Sequence, residues 1–216
     1  MKSKKPITGD RRLFLGRSGA GKTYLLTHML IDILSKIPKN KRVLYIFSPT
    51  VYVNEDMKKL AKFANGKATT INDELVETLR RKLNQAKNKH KFVVFDDMGA
   101  NVYLKYQKKN NWINDLIIQS RNLNVHLYFA FQKYTQSTND LRDCADLIYL
   151  FKSDNIDEMK KVNKEFCGFI EWKNFSEMLH QCWSKRWGYL LIDRRDSHQN
   201  KYYCKRKRIK LQTEFH

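Results

Sequence analysis

The sequence is poor in residues that interrupt regular structure. It has only three Pro and eight Gly among 216 residues, so long flexible linkers between separate domains are not expected. A chain of this length can bury one full α/β core, with room for a small appendage. Hydrophobic residues make up 42% and aromatic residues 12%, which is typical of a folded globular protein rather than a disordered one.

No segment has the character of a secretion signal or of a membrane span. Residues 1–10 are basic but contain no apolar core. No apolar run approaches the roughly 20 residues that cross a bilayer. We therefore expect a chain without membrane insertion that works in the cytoplasm or in a compartment continuous with it.

Cysteine is also sparse, and the spacing of the cysteines matches no paired CxxC zinc pattern. A mixed site with His180 or His198 in the C-terminal third is an alternative, but reduced thiols packed in the core are the expected state. The four cysteines are Cys144, Cys167, Cys182 and Cys204.

Acidic residues are too few to balance the basic ones. Lys and Arg number 42 against 22 Asp and Glu, which gives a net charge of +20. Solubility alone would be served by a net charge of about 2–8. Such an excess favours a polyanionic partner, with nucleic acid ahead of an anionic membrane surface.

Short apolar strands alternate with helical segments along most of the chain. This alternation predicts a mainly parallel sheet covered by helices on both faces, in a core at residues 11–153. A basic tail at 1–10 precedes this core, and a small basic α+β extension packed on it follows at 154–216. The predicted strands are 11–15, 42–47, 92–95, 125–131, 145–151 and 188–192, with a strand or tail at 201–211. The predicted helices are 23–36, 54–64 and 72–87, one within 101–121, and 155–166 and 174–184, with Asn54 and Asn72 as caps.

A complete phosphate-binding motif, GxxxxGK[ST], follows the first strand and opens a helix. Its glycines let backbone N–H groups curl around phosphates, and the helix N-terminus adds its dipole. Lys22 is expected to reach the β- and γ-phosphates, and the Thr23 hydroxyl to bind Mg²⁺. The predicted ligand is MgATP. Its predicted contacts are Gly16, Arg17, Ser18, Gly19, Ala20, Gly21, Lys22, Thr23 and Tyr24.

Two adjacent acids end the strand at 92–95. An apolar strand that delivers a carboxylate to a sheet edge is the Walker B arrangement. Asp96 is expected to hold Mg²⁺ together with Thr23, and Asp97 to polarise the water that attacks the γ-phosphate. A capping pair of acids at a strand end is the alternative. The second acid disfavours nucleotide kinases and simple GTPase switches, which do not need it.

P-loop proteins of the ASCE, RecA-like class include the motor ATPases. Their sheet has a strand between the phosphate-loop strand and the Walker B strand. We expect residues 42–47 to supply it, and residues 125–131 to lie beside the phosphate-loop strand. Gln132 at the tip of 125–131 would then face the γ-phosphate. A solvent-facing polar strand end is the alternative.

Two arginines are candidates for stabilising charge in the transition state. Arg121 ends a predicted helix eleven residues before Gln132, where it could reach the γ-phosphate of a neighbouring subunit. Arg142 is the second candidate. A plain surface arginine is the alternative for both, because the chain has many.

Several short segments together carry a family resemblance. They are 13–16 leading into the phosphate loop, then 45–50, 95–97, 120–126, 131–132, 141–142 and 147–151. These segments resemble the FtsK–HerA superfamily of DNA-pumping ATPases. Within it, they are most similar to the genome-packaging ATPases of poxviruses, other large DNA viruses, virophages and Polinton-like elements. The resemblance covers roughly residues 11–152.

The resemblance implies a homo-oligomeric ring, a pentamer or hexamer, with ATP sites between subunits and an arginine donated in trans. It also implies double-stranded DNA threaded through the centre, a capsid vertex or portal component as partner, and action at assembly sites in the host cytoplasm or in the virion. The implied function is ATP-driven packaging of a viral genome into a preformed capsid. Many members carry Glu where this chain has Asp97, and related packaging enzymes often carry His at Asn122.

Nucleic-acid contacts are predicted in two basic segments, one after the Walker B strand and one near the C-terminus. Clustered basic side chains bind the phosphate backbone without recognising the base sequence. For each segment, the alternative is a basic surface that only contacts solvent. The predicted contacts are Lys105, Lys108, Lys109, Lys205, Arg206, Lys207 and Arg208.

Three other functions are compatible with a P-loop. Another nucleic-acid motor, such as a helicase or a conjugation-type pump, would share the same core. A phosphotransferase acting on a small molecule is disfavoured by Asp97, Gln132 and the charge. A structural DNA-binding protein without hydrolysis is disfavoured by the intact Lys22, Thr23 and Asp96.

Overall fold

One sheet with helices on both faces organises the protein. The structure, a computed structural model, describes residues 9–99, 112–195, 201–205 and 207–209. The strands are β1 (Arg11–Leu15), β2 (Arg42–Phe47), β3 (Gly66–Ala68), β4 (His90–Asp96), β5 (Val125–Phe131), β6 (Leu147–Phe151), β7 (Tyr189–Asp193), β8 (Lys201–Cys204) and β9 (Lys207–Arg208). The helices are α1 (Lys22–Ser35), α2 (Glu55–Ala61), α3 (Asp73–Gln85), α4 (Trp112–Leu123), α5 (Asn139–Cys144), α6 (Ile156–Phe166) and α7 (Trp172–Trp183). Short 3-10 turns lie at Lys39–Lys41 and Tyr134–Gln136.

The strands run in the order β3-β2-β4-β5-β1-β6-β7-β8-β9. Pairing is parallel from β3 to β6 and antiparallel from β6 to β9. The predicted fold class is therefore confirmed as a mainly parallel α/β sheet flanked by helices. Strands β7 to β9 continue the same sheet, because β7 pairs directly with β6.

The predicted place of one strand is wrong. Strand β5, and not residues 42–47, lies between the phosphate-loop strand β1 and the Walker B strand β4. Strand β2 pairs with the other side of β4, and within the described residues the sheet ends beyond it with the three-residue β3. Apolar character could not decide this order, because β2 and β5 are both almost completely buried. The second half of the expectation is confirmed, since β5 does pair with β1.

Alternating side chains of the strands fill two separate cores. On β1, Leu13 and Leu15 face the layer of α3 to α7, and Phe14 faces the layer of α1 and α2. This two-residue alternation on a sheet covered on both sides explains why the strands are apolar throughout. Asn54 and Asn72 cap α2 and α3 as predicted, accepting hydrogen bonds from backbone nitrogens at 3.0 and 2.9 Å.

The cysteines are all free. Cys167 and Cys182 are buried against the helical layer, and burial raises the pKa of the Cys167 thiol to about 12. In the described part of the chain, no three or more His, Cys, Asp or Glu side chains are grouped to hold a metal ion. No helix within the same residues is long and apolar enough to cross a membrane.

Candidate nucleotide-binding site

The phosphate-binding loop lies at the carboxyl edge of the sheet, between the ends of β5 and β6. The backbone nitrogen of Gly16 donates to Phe131 O at 3.3 Å, and that of Arg17 donates to Lys152 O at 3.1 Å. Gly19 and Gly21 have φ angles of 73° and 100°, which glycine adopts without steric cost. The loop therefore turns its backbone back on itself before α1 begins.

Lys22 is held inside this loop. Its Nζ donates to Gly16 O at 2.7 Å and to Arg17 O at 3.0 Å, and the residue is only 8% exposed. Burial lowers the pKa of Lys22, and the charges of Asp96 and Asp97 partly offset that effect. An ammonium has three donors, so one remains for a phosphate oxygen at the mouth of the loop.

Asp96 is buried at the end of β4 and accepts two hydroxyl hydrogen bonds. Thr23 Oγ1 donates to Oδ1 at 3.1 Å, and Ser48 Oγ donates to Oδ2 at 3.1 Å. Burial raises the pKa of Asp96, and the two hydroxyl bonds act in the opposite direction.

Ser48 was assigned no role from the sequence, because no local pattern marks it. Ser48 follows β2 directly, and β2 pairs with β4 so that Phe47 lies opposite Phe95. The next residue on each strand must therefore meet its neighbour at the sheet edge, which places Ser48 beside Asp96. Identifying this contact required the pairing of two strands that are far apart in the chain.

The donor set around Asp96 fits a magnesium ion. Mg²⁺ prefers oxygen ligands and usually keeps several waters beside one or two carboxylates and substrate phosphates. The Thr23 hydroxyl and the Asp96 carboxylate provide two such oxygens within 3.1 Å of each other, next to the loop. A divalent cation there would also stabilise the ionised form of a buried carboxylate.

Asp97 and Gln132 form the second polar pair at this edge. Gln132 Nε2 donates to both carboxylate oxygens of Asp97, at 2.8 and 3.0 Å. Asp97 has a φ of 53°, and its backbone nitrogen donates to Ala130 O at 3.0 Å. Gln136 accepts from the backbone nitrogen of Gln132 at 3.0 Å and so fixes the tip of β5.

An open cleft adjoins this pair and the loop. It is lined by Arg17, Gln132, Lys133 and residues 153–158. Arg17 pairs with Asp154 at 2.6 Å across it, and both side chains are largely exposed. The cleft is therefore open to the surface of the protein beside Arg17 and Gln132.

Arg121 lies at the opposite edge of the sheet. It is in the last turn of α4, just before β5 begins, whereas the loop lies where β5 ends. The seven residues of β5, at about 3.3 Å each, separate the two places. The guanidinium contacts Asp146, which also pairs with Arg11 at 3.0 Å, and the Arg121 side chain remains 55% exposed.

Arg142 is engaged by its own chain. Its guanidinium donates to Glu165 at 2.8 Å, to Ser137 O at 2.5 Å and to Asn139 at 2.5 Å, and it lies over the Tyr134 ring. These contacts tie α5 to α6 and to the turn after β5. Arg142 thus makes contacts with several partners in its own chain, whereas the contact described for the Arg121 guanidinium is with Asp146.

The predicted DNA contacts are only partly described. Lys105, Lys108, Lys109 and Arg206 lie outside the described residues. Lys205, Lys207 and Arg208 are exposed around the β8–β9 turn, at the end of the sheet opposite β3.

Comparison with known proteins is informative only at the level of structure. No protein-family model matches the chain, and no curated protein sequence is significantly similar to it. The DNA-packaging ATPase B204 from Sulfolobus turreted icosahedral virus matches with a TM-score of 0.68 and 20% identity, over 91% of this chain and 98% of that one. The chain has the B204 fold.

Two further structures agree with this result. The genome packaging NTPase B204 from Sulfolobus turreted icosahedral virus 2, in complex with AMP, has a TM-score of 0.66 and 19% identity, over 91% and 98% of the two chains. The cytoplasmic domain of the type VII secretion ATPase EccC from Thermomonospora curvata has a TM-score of 0.55 and 16% identity. That match covers 70% of this chain but only 20% of the EccC chain. The B204 fold thus extends beyond the segments at 11–152 that carried the sequence resemblance.

Proposed function

We propose that the protein is an ATPase that translocates double-stranded DNA and packages a viral genome into a preformed capsid. The observation that carries this proposal is the meeting of three groups at one sheet edge. These are the phosphate loop with Lys22, the Thr23–Asp96 pair, and the Asp97–Gln132 pair. They occur in a chain that matches B204 over nearly its whole length.

Each group has a distinct task in hydrolysis. The loop nitrogens and Lys22 bind the β- and γ-phosphates, and Thr23 and Asp96 hold Mg²⁺. The ion, when bound, neutralises charge that develops on the transferred phosphoryl group. Asp97 orients the attacking water and accepts its proton. Gln132 can donate either to Asp97 or to the γ-phosphate, because its amide bonds to the carboxylate and the residue also lines the open cleft.

Arg121 is proposed to complete the site of a neighbouring subunit. It cannot reach its own loop, since the length of β5 lies between them. A head-to-tail ring of five or six subunits would bring the edge that carries Arg121 against the next subunit's carboxyl edge. Asp146 would keep Arg11 as a partner if Arg121 moved to a phosphate. Arg142 is the weaker candidate because its own chain already engages it.

Double-stranded DNA is the proposed load. The net charge of +20 favours a polyanionic binding partner. Phosphate contacts from lysine and arginine give affinity for DNA without sequence preference. The proposed contacts with the DNA phosphates are Lys105, Lys108, Lys109, Lys205, Arg206, Lys207 and Arg208. A capsid vertex or portal component is the proposed docking partner, at assembly sites in the host cytoplasm or in the virion. A motor of another kind is the second candidate, supported by the partial match to EccC.

The deciding experiment is an ATPase assay with and without double-stranded DNA over a range of salt concentrations. We expect DNA to stimulate turnover and the stimulation to weaken with salt, because the contacts are to phosphates. Lys22→Ala should abolish turnover, whereas Lys36→Ala, which removes an exposed lysine paired with Asp32, should not. Equal turnover with and without DNA at every salt concentration would contradict the motor. Displacement of a triplex-forming strand without unwinding of the duplex would separate a translocase from a helicase.

A further inference from the structure

An exposed tryptophan packs directly against the phosphate-binding loop. Trp187 lies in the turn between α7 and β7 and is 40% exposed. A Cβ atom built on Gly21 would come within 3.0 Å of its indole, and its ring centroid lies 4.5 Å from that of Tyr24. Large aromatic side chains are usually more buried than this, so the exposed ring beside the loop requires an explanation.

The turn that presents Trp187 is firmly positioned. Trp187 has a φ of 57°, which is unfavourable for a bulky residue and persists only where the surroundings enforce it. The backbone nitrogen of Gly188 donates to Lys185 O at 2.9 Å, and any Cβ at Gly188 would collide with Cys182 O. Trp183 Nε1, one turn earlier, donates to Leu150 O at 3.0 Å and anchors the end of α7 to β6.

The position of Trp187 along the sheet matches the end of the nucleotide that carries the base. Asp97 and Gln132 directly follow strands β4 and β5, on one side of β1. Trp187 precedes β7, which lies on the other side of β1, beyond β6. If the γ-phosphate is directed towards Gln132, as the proposed function requires, the α-phosphate, sugar and base would extend across the start of α1 towards Trp187 and Tyr24.

The indole can accept a planar group on its face. The guanidinium of Arg186, which is itself an exposed side chain, lies 4.7 Å from the ring centroid of Trp187. Tyr24, 39% exposed, stands between Trp187 and His28, and its ring centroid lies 4.0 Å from that of His28. A purine could stack on the indole in place of the guanidinium, with Tyr24 supporting the ring from α1.

We infer that Trp187 is the stacking platform for the base of the nucleotide whose phosphates the loop binds. This inference rests on the proposed nucleotide binding and adds a residue from the C-terminal part of the chain to that site. Because stacking uses the ring face of the base, Trp187 contributes to binding of a nucleoside triphosphate but not to binding of the phosphates alone.

The test compares two ligands, MgATP and magnesium tripolyphosphate, which lacks sugar and base. In the full chain, Trp187→Ala should weaken ATP binding by roughly 5- to 150-fold, the range that follows from stacking on one base. It should leave tripolyphosphate affinity unchanged. Trp187→Phe should restore most of the ATP affinity. Phe169→Ala is the matched control, because it removes an exposed aromatic ring that contacts Tyr202 rather than the loop.

The outcomes separate this inference from the proposed function. An equal loss of affinity for both ligands in Trp187→Ala would show that Trp187 only shapes the loop. Unchanged affinity for both ligands would show that Trp187 does not contact the base. Either result overturns the inference. Lys22→Ala should weaken the binding of both ligands, and that result supports the phosphate site independently of Trp187. If the unaltered protein binds neither ligand, the proposed nucleotide site itself fails.

Discussion

At the scale of single residues, two neighbouring carboxylates have unlike surroundings. Asp96 is buried and bonded to two hydroxyl groups, whereas Asp97 has a left-handed backbone conformation, and within the described residues its carboxylate accepts hydrogen bonds from the amide of Gln132. The first environment suits a fixed ligand of a cation. The second suits a group that must act on a mobile water at the open cleft.

Exchange of each acid for its amide should therefore affect different steps. We expect Asp97→Asn to bind MgATP normally but to hydrolyse it about 10²- to 10⁴-fold more slowly, because the water loses its base. Asp96→Asn should weaken binding of ATP specifically in the presence of Mg²⁺. Affinities from equilibrium titration and rates from single-turnover hydrolysis measure the two steps separately. Near-normal turnover in Asp97→Asn would contradict a catalytic role for this residue.

At the scale of elements, local sequence signals were sufficient for most helices and strands. Periodicity located the apolar strands, and the side chains of Asn54 and Asn72 marked the starts of two helices. Strand β3 was missed because three residues with little apolar character form no pattern of their own. The order of β2 and β5 was misjudged because both are apolar, and only the tertiary packing distinguishes them.

The site divides in the same way. Lys22, Thr23 and Asp96 belong to contiguous motifs, which is why the sequence could single them out, and the structure places Thr23 in contact with Asp96 and Lys22 inside the loop. Gln132 could be chosen because it ends an apolar strand. Ser48 and Trp187 had no such signal, since each reaches the loop through pairing or turn geometry that joins distant parts of the chain. A single sequence therefore does not predict the side chains that reach a site from an element outside its motifs.

At the scale of the whole molecule, a buried ionic cluster joins the start of β1 to β5. Asp10 contacts His126 and pairs with Arg12 at 2.7 Å. Burial opposes ionisation of Asp10, but the hydrogen bonds and charges of His126 and Arg12 outweigh it and lower its pKa to about 2. The folded protein therefore binds this proton less readily than the unfolded chain, in which the pKa is near the ordinary 3.8.

The lowered pKa predicts a component of acid sensitivity. Asp10 should contribute about 2 kcal/mol of stability that is fully present above pH 4 and is lost as the pH falls towards 2. Urea unfolding between pH 2 and 6 should show this loss, and the pH dependence should be flatter in Asp10→Asn. Asp32→Asn, which breaks only an exposed pair with Lys36, should leave the profile unchanged. An identical acid profile in Asp10→Asn would disprove the assignment.

The placement of Arg121 concerns the assembly, because it lies across the sheet from its own phosphate loop. If it serves the next subunit, Arg121→Ala and Lys22→Ala should each be inactive alone but recover ATPase activity when mixed in one ring. Some loops with an intact Lys22 would then meet an intact Arg121 from the neighbour. A mixture of Lys22→Ala with Asp97→Asn is the matched control, since both changes disable the subunit's own site and no arrangement repairs it. Turnover measured against mixing ratio should rise to a maximum only in the first pair. Mixed rings that form but stay inactive would show that Arg121 does not act in trans.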